Sequence, residues 1–156
     1  MSQDQFDKYF YYQDGVLYSK RRKSWSSIEK KPYAKVRVNG KTYGIHVVIF
    51  ALHHGFVPET VDHINGNPAD NRIENLRAAT NQQNLWNQQR NSSTGVKNVS
   101  FHKQTNKWQV RIRTLTKRLF LGLFEDLELA ELVAIEARNK YHGEFANHGC
   151  RNAATI

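Results

Sequence analysis

Apolar and polar positions alternate with a period of two along much of the first 45 residues and predict two β-hairpins. The run Tyr9–Tyr12 and the run Val16–Tyr18 flank the dipeptide Asp14-Gly15, which is typical of a two-residue hairpin turn. Residues 33–45 repeat this arrangement around Asn39-Gly40. The N-terminal part is therefore predicted to start as paired strands.

Residues 46–90 lose this alternation, and the pattern predicts two short helices. The apolar run His46–His54 is followed by Gly55 and predicts a buried helix with a glycine stop. Residues 57–77 are rich in turn-forming Pro, Asn and Gly. The stretch from Thr80 to about Arg90 predicts a helix with Thr80 as its N-cap. Its many amides exceed what helix propensity explains, so they indicate either low complexity or a function.

A polar linker at residues 91–95 divides the chain, and we predict domains at 1–92 and 93–156. Beyond it, strands are predicted at 96–102, 107–114 and 118–124, and a helix at 127–142. The predicted apolar stripe of that helix consists of Leu129, Leu132, Val133, Ile135, Ala137 and Tyr141. The predicted fold class is α+β, with a βββα unit after the N-terminal hairpins and helices.

Charge narrows the choice of partner. The 156 residues include 23 Lys and Arg against 14 Asp and Glu, which gives a net charge of +9. With 39% hydrophobic residues a core can form. The basic excess favours a polyanionic partner, with nucleic acid ahead of an anionic membrane surface.

The basic residues are clustered. Residues 20–41 hold nine bases and one acid, residues 93–124 hold seven bases and no acid, and residues 125–156 reverse the sign. Either cluster alone is explained equally well by a solvated basic face or by a surface that follows DNA phosphates. The candidate DNA-contacting residues in these two clusters are Arg21, Arg22, Arg37, Lys97, Lys103, Lys107, Arg111, Arg113 and Arg118.

Several classes of protein and site are disfavoured by the sequence. No apolar run approaches the roughly 18 residues that a spanning helix needs, and the start MSQDQFDKYF lacks the pattern of a secretory signal. The single cysteine, Cys150, cannot form an internal disulfide or a zinc site built on paired cysteines. We therefore expect an intracellular protein without structural zinc and without a membrane span.

The residues most suggestive of chemistry are Asp62, His63, Asn75 and Asn84. Phosphodiester hydrolysis needs a base near neutral pH, and histidine is the side chain suited to that task. It also needs a divalent cation to neutralise phosphate charge, and hard cations prefer carboxylate and amide oxygens. Taken one at a time, each of these residues is more often part of a surface turn or a solvated helix face.

Their order and spacing resemble those of HNH endonucleases of the ββα-metal class, above all the homing enzymes of bacteriophages. The matching residues are His46 with its apolar helix and Gly55, Val61-Asp62-His63-Ile64-Asn65-Gly66, Asn71-Arg72, Glu74-Asn75-Leu76-Arg77 and Asn84. The resemblance implies Asp62 and Asn84 as ligands of one Mg²⁺ or Mn²⁺, His63 as general base and Asn75 as loop scaffold. Many relatives carry zinc-binding cysteine pairs, which this chain lacks.

Three further side chains near this motif have weaker assignments. Arg72 and Arg77 are candidates for phosphate contacts, because a guanidinium matches two phosphate oxygens. His46 is either a core histidine at the start of its helix or a phosphate contact, and we favour the structural interpretation.

Residues 95–147 resemble an apetala-two DNA-binding domain, through Gly95–Lys103, Lys107–Arg113, Lys117–Phe124 and Ala130–Asn147. The resemblance implies a three-stranded sheet that enters the major groove with one helix behind it. Alternation puts Lys107, Gln109, Arg111 and Arg113 on one face and Trp108, Val110 and Ile112 on the other. Trp108 is either a core residue, which its parity with Val110 favours, or a residue that packs on DNA, as the resemblance implies. The alternative is a small basic sheet that binds protein.

Together these interpretations predict a metal-dependent DNA endonuclease that acts on double-stranded DNA as a monomer or homodimer. Its expected location is the cytoplasm, including that of a bacterial host if a phage encodes it. The alternative function is a non-catalytic, sequence-specific DNA-binding protein. An RNA-binding module ranks lower, because the strands lack an aromatic-rich recognition motif.

Overall fold

The computed structural model describes residues 4–20, 33–88 and 94–149. Within these ranges the chain forms helices and small antiparallel sheets, so the mixed α and β class predicted from the sequence is confirmed. The chain divides into two compact units, Met1–Asn84 and Leu85–Ile156. The predicted boundary at residues 92 and 93 and most of the predicted linker lie outside the described residues, so that boundary stays a prediction.

In its described residues, the first unit contains three two-stranded antiparallel sheets and short helices. Its elements in chain order are α1 Asp4–Asp7, β1 Phe10–Gln13, β2 Val16–Ser19, β3 Lys35–Val38, β4 Lys41–Gly44, α2 Ile45–His54, β5 Thr60–His63, a 3-10 helix Ile73–Asn75, and β6 Leu76–Ala79. Strand β1 pairs with β2, β3 with β4, and β5 with β6. Helix α3, Asn81–Asn87, follows and spans the division between the units.

Both predicted hairpins are confirmed, with their turns at the predicted residues. Asp14 and Gly15 have φ of 49° and 80°, and Asn39 and Gly40 have φ of 48° and 80°. Positive φ at both central residues gives a turn whose twist matches that of the flanking strands. The first hairpin also contacts the 3-10 helix before β6, because the Tyr12 hydroxyl accepts a hydrogen bond of 3.0 Å from the Ile73 amide.

Helix α2 lies at the centre of the first core. It ends as predicted at Gly55, which has φ of 83° and donates its amide hydrogen to the Ala51 carbonyl. Residues from α1, from both hairpins, from α2 and from β5 and β6 form one buried cluster. Its members are Phe6, Phe10, Leu17, Val38, Ile45, Val48, Ile49, Phe50, Ala51, Val61 and Leu76. This core fixes the strands that carry the candidate site.

Helix α3 begins where the sequence predicts. The Thr80 hydroxyl accepts from the Gln83 amide at 3.2 Å, and the Gln83 side chain accepts from the Thr80 amide at 2.8 Å. This reciprocal pair is a capping box, which satisfies two amide donors at the helix start. The helix ends at Asn87, and the predicted end near Arg90 lies outside the described residues.

The second unit contains a three-stranded antiparallel sheet followed by a helix. Its elements are β7 Val99–His102, β8 Lys107–Arg113, β9 Arg118–Phe124, α4 Leu127–His142 and a 3-10 helix Gly143–Phe145, and β8 is the central strand. The first strand starts three residues later than predicted because Asn98 turns the chain with φ of 71°. Helix α4 has the predicted limits, and the Asp126 side chain caps it by accepting from the amides of Glu128 and Leu129.

The predicted apolar stripe of α4 is wrong in part. Leu129, Leu132 and Tyr141 are exposed, and the buried face consists of Ala130, Ala134, Ala137, Arg138 and His142. Small alanines let the helix approach the sheet closely, so the core contains Val96, Val99 and Val110 against Ala130 and Ala134.

One residue of β8 also departs from the predicted alternation. Gln109 is buried, although it was expected to share an open face with Lys107, Arg111 and Arg113. Gln109 lies on the central strand, where its register partners are Ser100 of β7 and Leu123 of β9, so both neighbouring strands cover it. Trp108 packs partly buried against the core, as expected.

No helix in the described ranges is long and apolar enough to cross a bilayer.

Candidate functional site

The candidate site starts at the end of β5, where Asp62 and His63 are neighbours in the chain. Both side chains are buried, with exposed fractions of 3% and 8%. Successive side chains of a strand point to opposite faces. The two groups therefore take different partners, although their backbones are adjacent.

Asp62 faces Arg77 across the β5–β6 pair, where the two residues are register partners. The Arg77 Nε and Nη2 atoms donate to Asp62 Oδ2 at 2.9 and 2.7 Å. The Arg77 side chain is 16% exposed, so this is a largely buried ion pair. Arg77 was predicted as a phosphate contact, and in this structure its guanidinium binds the candidate metal ligand.

His63 lies between a loop amide and a second imidazole. Its Nε2 atom is 3.1 Å from Asn71 Oδ1, and Asn71 is buried with an exposed fraction of 4%. The rings of His63 and His46 have centroids 5.1 Å apart with an angle of 54° between their planes. Neither contact was predicted from the sequence, in which Asn71 has no assigned role and His46 is not expected beside the base.

His46 is the second residue of α2 and is kept uncharged at neutral pH. Burial and then the nearby charge of His63 lower the pKa of His46 to about 4. The ring also occupies the space beside Gly44, where a Cβ atom would lie 2.5 Å from His46 Cε1. The geometry supports a packing role against His63, which extends the structural interpretation favoured from the sequence.

The loop between β5 and β6 is held by Asn75, the residue predicted as its scaffold. Asn75 Oδ1 accepts from the Asn65 amide at 2.9 Å, and Asn75 Nδ2 donates to Asn65 Oδ1 at 3.0 Å and to the Asp70 carbonyl at 2.8 Å. The buried Asn75 side chain therefore links both ends of this loop. Such side-chain bonds replace the backbone pairing that a loop lacks.

A bidentate ion pair closes the same loop on its outer side. Arg72 Nε and Nη2 donate to Asp70 Oδ1 and Oδ2 at 2.9 and 2.8 Å. The hydrogen bonds from Arg72 hold the pKa of Asp70 far below its usual range. The Arg72 side chain remains 68% exposed, so it stays accessible to a phosphate.

Asn84, the predicted second metal ligand, lies in α3 and is half-buried. Its backbone amide bonds to the Thr80 carbonyl at 3.0 Å, so the capping box and the helix hydrogen bonds determine its position. Asp62 and Asn84 both belong to the first compact unit.

The donor set of Asp62 and Asn84 fits Mg²⁺ or Mn²⁺. Both side chains offer oxygen, and Mg²⁺ is usually held by one or two protein carboxylates together with waters and substrate phosphates. Among the described residues, no group of three or more His, Cys, Asp and Glu side chains could hold a metal ion. Asp62 and Asn84 together offer two kinds of oxygen donor, so water and phosphate would have to fill the remaining positions around an ion.

The second unit displays some of the predicted basic residues and buries another. Lys103, Arg111, Arg113 and Arg118 are exposed, and Lys107 forms a 3.0 Å ion pair with Glu125. Arg37 of the first unit is exposed as well. Arg21 and Arg22 lie outside the described residues.

Lys97 departs from the prediction of a DNA contact. Its side chain is buried, and Nζ donates to the carbonyls of Trp86 and Gln88 at 2.5 and 2.9 Å. Those carbonyls lie at the C-terminal end of α3, where an ammonium satisfies acceptors that have no helical partner. Lys97 therefore fastens the end of α3 and cannot reach a phosphate in this structure.

Comparison with known proteins gives two findings. The sequence model of a family described as HNH endonuclease matches residues 43–85, which include β5, its loop, β6 and most of α3. The chain is 30% identical over 107 residues to protein 3.8 of Escherichia phage T7, an alignment that covers 65% of this chain and 86% of the phage protein. No solved structure gives a significant match.

Proposed function

The chain belongs to the family of protein 3.8 of phage T7 and carries an HNH endonuclease domain, and from this premise we propose that it is a metal-dependent DNA endonuclease. An HNH domain indicates a nuclease-type function in DNA processing. The proposal adds the reaction, the residues that perform it and the cofactor. The observation that carries it is that a buried carboxylate and a buried imidazole, Asp62 and His63, are adjacent in the chain inside the matched segment.

His63 is the proposed general base. It accepts a proton from a water molecule, and the water oxygen attacks the phosphorus of the DNA backbone. Its burial between Asn71 and His46 restricts the orientation of the ring, which favours proton transfer in one direction.

Asp62 and Asn84 are the proposed ligands of one Mg²⁺ or Mn²⁺. When bound, the ion would stabilise negative charge on the scissile phosphate and the leaving 3′-oxygen. Asp62 already lies beside a positive group, since Arg77 binds its Oδ2 atom. Arg77 can therefore hold the carboxylate in position, which is the usual task of a group behind a metal ligand.

Asn75 is the proposed scaffold of the site. Its three side-chain hydrogen bonds tie Asn65 and Asp70 together around the loop that follows His63. A fixed loop keeps the candidate base and its partner Asn71 at a constant distance. This role explains why a buried amide, and not an apolar side chain, occupies position 75.

Double-stranded DNA is the proposed substrate. Arg72 and Arg37 in the first unit and Lys103, Arg111, Arg113 and Arg118 in the second are exposed cations that can follow phosphates. We propose that the three-stranded sheet of the second unit binds DNA in the manner of apetala-two domains. With a single active site per chain, a monomer would nick one strand, and cutting both strands would take a dimer or two visits.

A plasmid-nicking assay tests the function. Supercoiled DNA incubated with the protein and Mg²⁺ or Mn²⁺ should become open-circular, and EDTA should stop the reaction. Asp62→Asn, which keeps the shape of the side chain and removes its charge, should be inactive at the same protein concentration. DNA binding without nicking under any metal condition would instead identify a non-catalytic DNA-binding protein, and nicking in EDTA would refute metal dependence.

A further inference from the structure

We infer that Asn71 is a positioning residue that selects the tautomer of His63, so that Nδ1 is the nitrogen that accepts the proton from water. The inference deepens the proposed function and rests on it. It assigns a role to a residue that the sequence analysis left without one. It also specifies which side of the imidazole ring faces the reaction.

His63 Nε2 forms a hydrogen bond with Asn71 Oδ1, at a distance of 3.1 Å. An amide oxygen can only accept, so a hydrogen bond at this position requires the hydrogen to be on Nε2. A neutral imidazole carries one N–H group and one lone pair. The lone pair of the bonded tautomer is therefore on Nδ1.

The tautomer with its hydrogen on Nδ1 is higher in free energy in this environment. With the hydrogen on Nδ1, the lone pair of Nε2 would face the lone pairs of Asn71 Oδ1, and both groups are more than nine-tenths buried. Leaving a buried polar atom without its hydrogen bond biases an equilibrium by roughly tenfold to a hundredfold. The Nε2–H form should therefore dominate while the ring is neutral.

The residues on either side of Asn71 hold its side-chain amide in position. Asn71 follows Asp70, whose carbonyl accepts from Asn75 Nδ2 and whose carboxylate binds Arg72 and Asn65. Both neighbours of Asn71 are thus tied into the loop network. The loop that Asn75 holds therefore fixes Asn71 Oδ1 beside His63 Nε2.

This arrangement also suits the reaction. An O–H bond of water breaks, its proton forms an N–H bond at Nδ1, and the water oxygen bonds to phosphorus while the 3′-oxygen leaves with the bonding electron pair and gains a proton from solvent. The ring then carries a positive charge and still donates from Nε2 to Asn71. Hydrogen bonds from a charged donor are stronger than neutral ones, so Asn71 favours the protonated product of this transfer.

Nitrogen NMR of the imidazole rings measures the tautomer directly. The full-length protein, labelled with ¹⁵N in its histidines, is examined without DNA or metal at a pH where the His63 ring is neutral. The wild type should show His63 with the hydrogen on Nε2. Asn71→Asp keeps an acceptor oxygen and should keep this tautomer, whereas Asn71→Leu removes the acceptor and should give a mixture of both forms.

Nicking rates of the same proteins supply the second measurement. Asn71→Leu should slow nicking by about tenfold or more, because part of the population then has its lone pair on Nε2 and the ring also loses the hydrogen bond that orients it. Asn71→Asp should restore most of the rate. Asn67→Ala is the matched control, because it also removes an amide acceptor from this loop. The only described hydrogen bond of the Asn67 side chain is the one that its Oδ1 accepts from the Ala69 amide. This variant should keep the His63 tautomer of the wild type, and its nicking rate should stay within a few-fold of the wild-type rate.

Two results would overturn the inference. One is a wild-type His63 that has its hydrogen on Nδ1. This result would refute the inference even if Asn71→Leu did not fold. The other is a folded Asn71→Leu protein that retains the wild-type tautomer. Because the spectra need neither DNA nor metal, a protein that shows the expected tautomer yet never nicks DNA would refute the proposed function separately.

Discussion

At the scale of single residues, the ion pair between Asp62 and Arg77 dominates the energetics of the candidate site. The Asp62 carboxylate is almost completely removed from solvent, and Arg77 is the neighbouring positive charge on the paired strand. Removing one partner of a buried pair leaves an uncompensated charge, which costs more than the pair itself contributes. The pair is therefore both part of the proposed site and a constraint on the stability of the first unit.

Arg77→Ala should lower the free energy of unfolding by about 3 kcal/mol, because it leaves Asp62 charged and buried. Adding Asp62→Asn to that variant should recover part of the loss, since the buried charge is then gone. Urea unfolding followed by circular dichroism measures both. The control is Arg72→Ala, whose exposed pair with Asp70 should cost less than about 1 kcal/mol; equal losses at both arginines would contradict the account.

The buried imidazole of His46 makes stability depend on pH. Its pKa is about 4 in the folded protein, against an ordinary value near 6.5 in an unfolded chain. The unfolded chain therefore binds the proton more readily, so the contribution of His46 is complete above pH 6.5 and is lost as the pH falls towards 4. Between pH 7.5 and 5 this loss is at most about 2 kcal/mol.

Urea unfolding of the wild type and of His46→Gln at pH 7.5 and pH 5 measures that contribution. The variant should lose less stability on acidification than the wild type. Burial also lowers the pKa of His142 and of His148, but both proteins share these groups, so their effect cancels in the comparison. Parallel losses in the two proteins would show that His46 is not the group responsible.

Sequence reasoning reached some of these residues and not others, for a physical reason. The Asp62-His63 pair and Asn75 are recognisable because their spacing along the chain is fixed by a short motif. The contacts to Arg77, Asn71 and His46 depend on strand register, loop closure and helix placement. None of these follows from local composition, since each joins residues whose separation in sequence is unrelated to their separation in space.

At the scale of the elements, turns and helix ends were predicted correctly where the backbone conformation accepts only a few residue types. Asn39-Gly40 and Gly55 adopt positive φ, and Thr80 forms its cap, as the residue types indicate. Helix α4 shows the limit of this approach, because its ends were predicted correctly and its buried face only in part. Hydrophobicity favours leucine as the buried residue, whereas the close approach of helix and sheet selects alanine.

Substitutions on the two sides of α4 test this assignment of faces. Ala134→Leu should destabilise the second unit by about 1–3 kcal/mol, because the larger side chain has no space against the sheet. Leu132→Ala, on the exposed side, should change stability by less than about 0.5 kcal/mol. Thermal or urea unfolding distinguishes them, and the reverse order would mean that the leucines form the buried face.

At the scale of the whole molecule, the charge distribution predicts a polyanionic partner, and the structure refines which cations can serve. Lys97 binds the end of α3, and Arg77 forms an ion pair with Asp62. Arg111, Arg113 and Arg118 remain exposed on β8 and β9. Counting charges in the sequence cannot separate these cases, because burial and ion pairing decide whether a cation is accessible.

The double variant Arg111→Ala, Arg113→Ala should weaken DNA binding and flatten its salt dependence. Each phosphate contact contributes about 0.9 to the slope of log affinity against log salt, so losing two should reduce the slope by about 1.8. Fluorescence anisotropy with labelled duplex over a range of KCl concentrations measures this. An unchanged slope would exclude these arginines from the interface, and Arg118→Ala would then be the next variant to compare.

The central claim is that His63 performs the chemistry, and His63→Ala tests it most directly. Plasmid nicking with Mg²⁺ and duplex binding are measured on the same preparation of variant and wild type. We predict that nicking falls by at least about a hundredfold, while DNA affinity stays within a few-fold because the base is not a binding group. Undiminished nicking by His63→Ala would contradict the account.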